Sequence, residues 1–238
     1  MNARLEARRS TCSIILSALA IAAAHSALAA SEGLAHSASA RIEPYLMANE
    51  RQEIALARTA APASVSMRAT VMVLGPHGYF TAAGGRNGFV CLVVRSWDNL
   101  VSAKSSTFWD PMFRVPYCLN AAGAKSVLPE YLMKTRWAIA GASRAEIGDR
   151  ERAAWAQGKL HEPTAGSICY MMSRRSWGVG GNPGPWRPHL MFYFPRGRTP
   201  DWGANLEGNP VIASVGEHTS VVMVLVPVWS DGSPAPGF

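Results

Sequence analysis

The sequence predicts an α+β fold: a single domain on a mostly antiparallel sheet, with an N-terminal helix and a central helical pair. Three observations carry this. Seven short runs rich in β-branched and aromatic residues are bounded by Gly and Pro turns, two capped stretches of helical period lie between the third and fourth runs, and no internal repeat is present. The order is helix, three strands, two helices and four strands.

Residues 1–30 read as a cleaved secretory signal. Arg4, Arg8 and Arg9 precede the apolar run Ser13–Ala24, which ends at the small residues Ala27-Leu28-Ala29. The run is too short to span a bilayer, so the mature chain is expected to have no transmembrane segment. Residues 31–41, rich in Ala and Ser, follow as a flexible leader. The folded domain is expected over 42–238.

Pro44 fits the first turn of a helix continuing through Leu46, Met47, Ile54 and Leu56 to about Ala60, where Ala61-Pro62 stops it. Ala69–Leu74, Tyr79–Ala83 and Phe89–Arg95 alternate with Gly-rich turns and predict a three-stranded meander. Residues 98–119 show no period and contain Pro111 and Pro116, which predicts an irregular excursion. Pro129 opens a helix that Gly141 closes. Ser143-Arg144-Ala145-Glu146 has capping-box spacing, because the serine hydroxyl can accept from the third amide while the carboxylate reaches back, and it starts a second helix running to about Gln157. Gly158 is its expected end.

Strand signals return at Ser167–Ser173, His189–Phe194, Val211–Ser214 and Ser220–Trp229, with a Gly/Pro loop over 178–185 and a turn near Asp201–Asn205. Pro227 makes the end of the last run an edge or a bulge.

The chain carries 23 Lys+Arg against 16 Asp+Glu; the signal takes three Arg and one Glu, leaving 20 against 15. This basic excess is scattered and mostly arginine. No Lys-rich arm marks a nucleic-acid partner, and export argues against one as well. Only 16% of residues are charged while eight are Trp, a balance that favours a well-buried fold with aromatic residues on a core or a groove.

Cys12 falls in the signal, leaving Cys91, Cys118 and Cys169. In an oxidising compartment, periplasmic or extracellular, the simplest pairing joins Cys91 to Cys118 across a loop of 27 residues. Cys169 is then the remaining thiol, read as a small buried hydrophobe on an apolar strand.

Residue type and spacing bear on six chemistries. His77, His161, His189 and His218 with Glu162 and Glu217 show no metal-ligand spacing, so no metal is assigned. Cys169 and His189 lie on runs that can be neighbouring strands, which makes them the candidate pair for a small thiol-dependent hydrolase. No G-x-S-x-G elbow or S-x-x-K supports serine hydrolysis, and Gly84–Gly88 joins two strands rather than opening a helix onto a phosphate. No C-x-x-C-H attaches a haem, and no cofactor is expected. Trp177, Trp186, Arg187, His189 and Trp202 supply aromatic faces and donors suited to a saccharide or a peptide.

The segments Gly78-Tyr79, Asn87-Gly88-Phe89-Val90-Cys91, Phe108-Trp109-Asp110-Pro111, Pro116-Tyr117-Cys118 and Pro188-His189-Leu190-Met191-Phe192-Tyr193 follow one another in an order that resembles a family of exported bacterial proteins of unknown function. The resemblance spans nearly all of the mature chain and implies one exported domain. It brings no activity with it. The sequence therefore leads to a non-catalytic ligand- or partner-binding domain facing an envelope component, with the Cys169/His189 hydrolase as the alternative.

Overall fold

The computed structural model describes residues 42–98, 108–177 and 187–236. The expected signal, the leader and Trp186 lie outside these residues. The architecture is α+β, with five α-helices on a single eight-stranded sheet among the described residues.

After a 3-10 turn at Glu43–Tyr45, α1 (Glu50–Arg58) and α2 (Ala63–Ser66) precede β1 (Thr70–Gly75), β2 (Gly78–Ala83) and β3 (Val90–Val94). A second 3-10 turn, Ser96–Asp98, follows β3. Then come β4 (Val115–Leu119), α3 (Ala121–Ser126), α4 (Leu128–Ile139), α5 (Arg144–Ala156), β5 (Ile168–Met171), β6 (His189–Pro195), β7 (Val211–Val215) and β8 (Thr219–Leu225). Strand order is β2-β1-β3-β4-β5-β6-β8-β7.

Pro44 lies in the 3-10 turn rather than in the main helix. Leu46 is extended, and Asn49 caps α1 by accepting from the Gln52 amide at 2.9 Å. The first three strands form a hairpin plus a crossover instead of a meander: β1 pairs antiparallel with β2, but β3 joins the other side of β1 in parallel. Gly85 in that crossover runs against the backbone of Ala69 and Thr70, where an added Cβ would lie 2.1 Å from the Thr70 nitrogen. Every other strand pair is antiparallel.

The end of the expected excursion is β4, all five of whose residues are buried. It pairs with β3 along its full length, and with β5 only at Cys118 and Leu119. Pro116 thus sits where β4 has a ladder partner on one side, the place a strand tolerates a residue without an N–H. Cys91 and Cys118 are directly opposed across β3 and β4 with Cα atoms 4.0 Å apart, and their sulfurs are bonded.

Alternation along the strands sorts the core into two layers. On one face Val71, Val73, Cys91, Val93 and Cys118 pack under Leu56 and Ala57 of α1 and Ala60 just beyond it. On the other, Leu92, Tyr117, Leu119, Cys169, Met191, Tyr193 and Val221 pack under Val127, Leu128 and Tyr131. Among the described residues, no helix is long and apolar enough to cross a membrane.

Candidate functional site

A cleft opens between the helices and the far half of the sheet. Its walls are Ser126 at the end of α3, Val127 after it, Glu130 and Tyr131 in the first turns of α4, Trp155 near the end of α5, His161 and Pro163 in the following segment, Tyr193 on β6 and Thr219 at the start of β8. The space it encloses is about 20 Å³, room for about one water molecule, and the rest is open to solvent. A ligand larger than water would have to part these side chains.

The capping box explains why Trp155 arrives here. Ser143 accepts from the Glu146 amide at 3.2 Å and the Glu146 carboxylate accepts from the Ser143 amide at 2.7 Å, which sets the start of α5 and so the position of its last turn. Trp155 stacks on His218 of the β7–β8 turn, with ring centroids 4.5 Å apart and planes at 16°. Its buried indole N–H has no hydrogen-bond partner among the described residues, and neither does His218 Nε2. A buried donor of this kind requires an explanation, because leaving it unmade costs more than a formed hydrogen bond returns.

Lys134 ties α4 to α5. Its ammonium donates to Glu130 Oε1 at 2.6 Å and lies 3.0 Å from Glu151 Oε1. Burial alone would lower its pKa, but the two carboxylates outweigh burial and raise it. Burial raises the Glu151 pKa, with Lys134 opposing and Glu130 adding to the rise.

The floor of the cleft is saturated with internal hydrogen bonds. Tyr131 and Tyr193 join hydroxyls at 3.2 Å, and burial pushes both pKa values well above the phenol range. Ser126 Oγ donates to the Ala122 carbonyl at 2.8 Å, accepts from the Thr164 amide at 3.0 Å and contacts Ser167 Oγ at 3.0 Å. These hydroxyls have little capacity left for a ligand.

Cys169 and His189 do share a sheet face. Cys169 is opposite Met191 and His189 opposite Met171, so they sit diagonally on neighbouring strands. Cys169 is fully buried beneath the tyrosine floor, and burial pushes its thiol pKa up, against hydrogen bonds from the Cys118 backbone and Tyr193. A nucleophilic thiolate requires the opposite shift. His189 is buried, its pKa lowered by desolvation against the Arg187 carbonyl, which lies 2.7 Å from Nδ1 and assigns the proton to that nitrogen.

The aromatic candidates do not converge on this cleft. Trp202 meets Phe192 and Phe194 edge to face at 5.3 and 5.7 Å, and those rings project from the sheet face opposite Tyr193. It is 43% exposed. Trp177 forms an isolated bridge with Arg114. Trp109 packs against Trp97 and Phe108, and its carbonyl accepts from Tyr45 at 2.8 Å.

Sequence reasoning passed over Glu130, Tyr131, Trp155 and Tyr193, which are far apart in the chain and belong to no motif. Trp155, near the C-terminal end of a helix with clear start and stop signals, was the one available hint.

A second ionisable cluster is sealed inside the fold. Arg95, fully buried, donates to Glu53 Oε1 at 3.0 Å, to the Tyr45 carbonyl at 3.0 Å and to the Val93 carbonyl. Glu53 Oε1 also accepts from the Leu74 amide at 3.1 Å. Asp98 accepts from the Arg95 amide at 3.3 Å and from the Thr135 hydroxyl, and Trp97 Nε1 donates to that same hydroxyl at 3.0 Å. Burial pushes the Asp98 pKa up to about 7, against the hydrogen bonds from Arg95 and Thr135 and the charges of Lys134 and Arg95. This cluster joins α1, β3 and α4 and reads as structural.

Among the described residues no three His, Cys, Asp or Glu side chains converge as a metal site would need. No protein-family model, curated protein or solved structure matches the chain, so the resemblance drawn from its short segments adds no activity to this geometry.

Proposed function

We propose that the protein is an exported binding domain that takes a small organic ligand in the cleft between α4, α5 and the β6–β8 half of the sheet. The observation that supports this is the combination of three aromatic side chains, Tyr131, Trp155 and Tyr193, with the Glu130 carboxylate around one solvent-open cleft, whose enclosed space of about 20 Å³ a ligand would widen on entry. Aromatic walls supply apolar contact area, and one charged group fixes orientation. Export is supported by the signal-like residues 1–30 and by the Cys91–Cys118 bond, which an oxidising compartment maintains. In this reading residues 31–41 are a leader and 42–238 form the domain.

The test is protein-observed NMR with small sugars, amino acids, dipeptides and organic amines, followed at the Trp155 indole N–H and checked in Trp155→Leu. Binding is expected to shift that resonance and to weaken in the variant. If every shift maps instead to Trp202 and Trp177, the site belongs on the opposite face; if no probe shifts any resonance, the binding reading falls. Alkylation of the native protein addresses the hydrolase alternative: Cys169 is expected to stay unreactive until unfolding, and rapid labelling below pH 7 would revive it.

A further inference from the structure

We propose that the outer edge of β2 docks a short acidic segment of a partner protein as an added strand.

The backbone argues first. β2 ends the sheet on the far side of β1, and along an antiparallel pair alternate residues turn both their N–H and their C=O away from the partner. Such an edge is normally blunted by charge, by proline or by a covering segment. At the opposite end of the sheet β7 has that cover, because the Asn205 side chain accepts from the Ala213 amide at 3.1 Å and donates to the Ala213 carbonyl at 3.2 Å. The β2 strand carries neither charge nor proline, and among the described residues no hydrogen bond reaches its main chain from outside the sheet. Phe80, 46% exposed, and the exposed Thr81 lie along the same edge.

The register sets the length of the occupant. Gly78, Tyr79, Phe80 and Thr81 pair in step with Gly75, Leu74, Val73 and Met72, after which Ala82 is an extra residue and Ala83 faces Val71. A bulge of this kind bends its strand and interrupts the ladder. The edge thus offers a short regular row, which suits a segment of about four to six residues better than the joining of two whole sheets.

Charge names the chemistry. Between Glu53 and Asp98 the chain contains no acidic residue. Arg68 and Arg86 are exposed at the end of the strand, where the Arg86 amide donates to the Arg68 carbonyl at 2.9 Å. At its start the exposed Arg136 of α4 lies beside Gly78, its Cγ 4.0 Å from where a Cβ would stand. None of these three arginines has an ion-pair partner among the described residues. A second copy of β2 brings arginine against arginine at both ends, whichever way the two strands run. An acidic segment meets opposite charge instead. Surface ion pairs are individually weak, so main-chain hydrogen bonds hold the segment and the arginines select it.

The experiment follows the backbone amide resonances of residues 79–83 in the full chain by NMR as the end-blocked hexapeptide Glu-Val-Thr-Val-Thr-Glu is added. Its counterpart with Lys at both ends is the control. The amides are expected to shift, and the acidic peptide to bind about tenfold more tightly than the basic one at low salt, an advantage lost at about 1 M salt. Two N-methylated versions read the docking mode. An added strand bonds through alternate residues, so methylation at the second and fourth nitrogens, or at the third and fifth, is expected to abolish binding in one peptide and spare it in the other. Arg86→Ser with Arg136→Ser is expected to cut affinity for the acidic peptide about fivefold while leaving the thermal melt in place. Failure of these amides to shift at millimolar peptide overturns the inference, as does equal affinity for the acidic and basic peptides or equal loss in the two methylated ones. Broadening at 79–83 that grows with protein concentration would give the edge to a second copy, and slow hydrogen exchange of every one of these amides in the free monomer would give it to another part of this chain; either result also overturns it.

Discussion

Among the described residues Arg95 is the largest fully buried side chain, and its charge is tolerable only because Glu53 and two carbonyls surround it. Removing one partner of such a pair leaves an uncompensated buried charge, typically costing about 3–5 kcal/mol, whereas replacing both by apolar residues is far milder. Glu53→Gln is therefore expected to lower stability by about that amount, and Glu53→Leu with Arg95→Met by much less; urea titrations of the two variants check this, and equal losses would show that the pair is not coupled. Asp98 makes a pH prediction. Its folded pKa, about 7, stands above its ordinary 3.8, so the folded state holds the proton more tightly than the unfolded one. Its contribution is full below pH 4 and is lost as pH rises through 7, on the order of 4 kcal/mol at most. Asp98→Asn is expected to flatten the slope of unfolding free energy between pH 4 and 7, and an unchanged slope would remove Asp98 as its source. This cluster was not legible in the sequence. Glu53, Arg95 and Asp98 sit in unremarkable contexts, and only the packing of α1 and α4 on β3 reveals that all three are enclosed.

Local chemistry was readable where an element carries its own signals. The α5 helix begins at the Ser143 capping box and is followed by Gly158 at φ 64°, both expected from residue spacing. It was unreadable where partners decide. The β4 strand contains a proline and no alternation because it is buried throughout, and the parallel β1–β3 pairing depends on a crossover no local pattern encodes. The edge strand β7 shows a further device. Its segment Val211–Val215 carries no charge and no proline, yet its outward backbone is not bare: the Asn205 side chain accepts from the Ala213 amide at 3.1 Å and donates to the Ala213 carbonyl at 3.2 Å, while the Asn205 amide donates to the Val211 carbonyl at 3.0 Å. Asn205 adopts φ 64°, which positions its amide as a stand-in for a neighbouring strand. This protects an edge that would otherwise template pairing with another chain. Asn205→Gly keeps the backbone conformation but removes the clamp, so it is expected to cost about 1–2 kcal/mol and to promote self-association. Sedimentation velocity and a thermal melt check this; a variant as stable and monodisperse as the parent would show that the clamp is idle.

At the scale of the molecule, the fold class was legible because helices and strands alternate in blocks, whereas the cleft was not, since its residues converge only when β6, β8, α4 and α5 are assembled. The disulfide links the two levels. The pairing of Cys91 with Cys118 followed from counting cysteines, but Cys118 was expected in a loop, and the structure instead sets the two residues opposite each other at the centre of the sheet, both fully buried under α1. That position gives the bond a global effect. It closes a 27-residue separation, for which the chain-entropy argument gives about 3.5 kcal/mol through restriction of the unfolded chain. Because β3 and β4 also pair along their full length, the native sheet does not depend on the bond for its register, so loss of the bond should act mainly on the unfolded state. Cys91→Ala with Cys118→Ala is therefore expected to retain the native NMR spectrum, including the resonances of the cleft, while its urea midpoint falls by an amount corresponding to about 3–4 kcal/mol. A variant that loses its native spectrum would show that the bond organises the sheet itself. A midpoint that does not move would show that the unfolded chain is already restricted across this loop, and that the bond records the compartment more than it supports the fold.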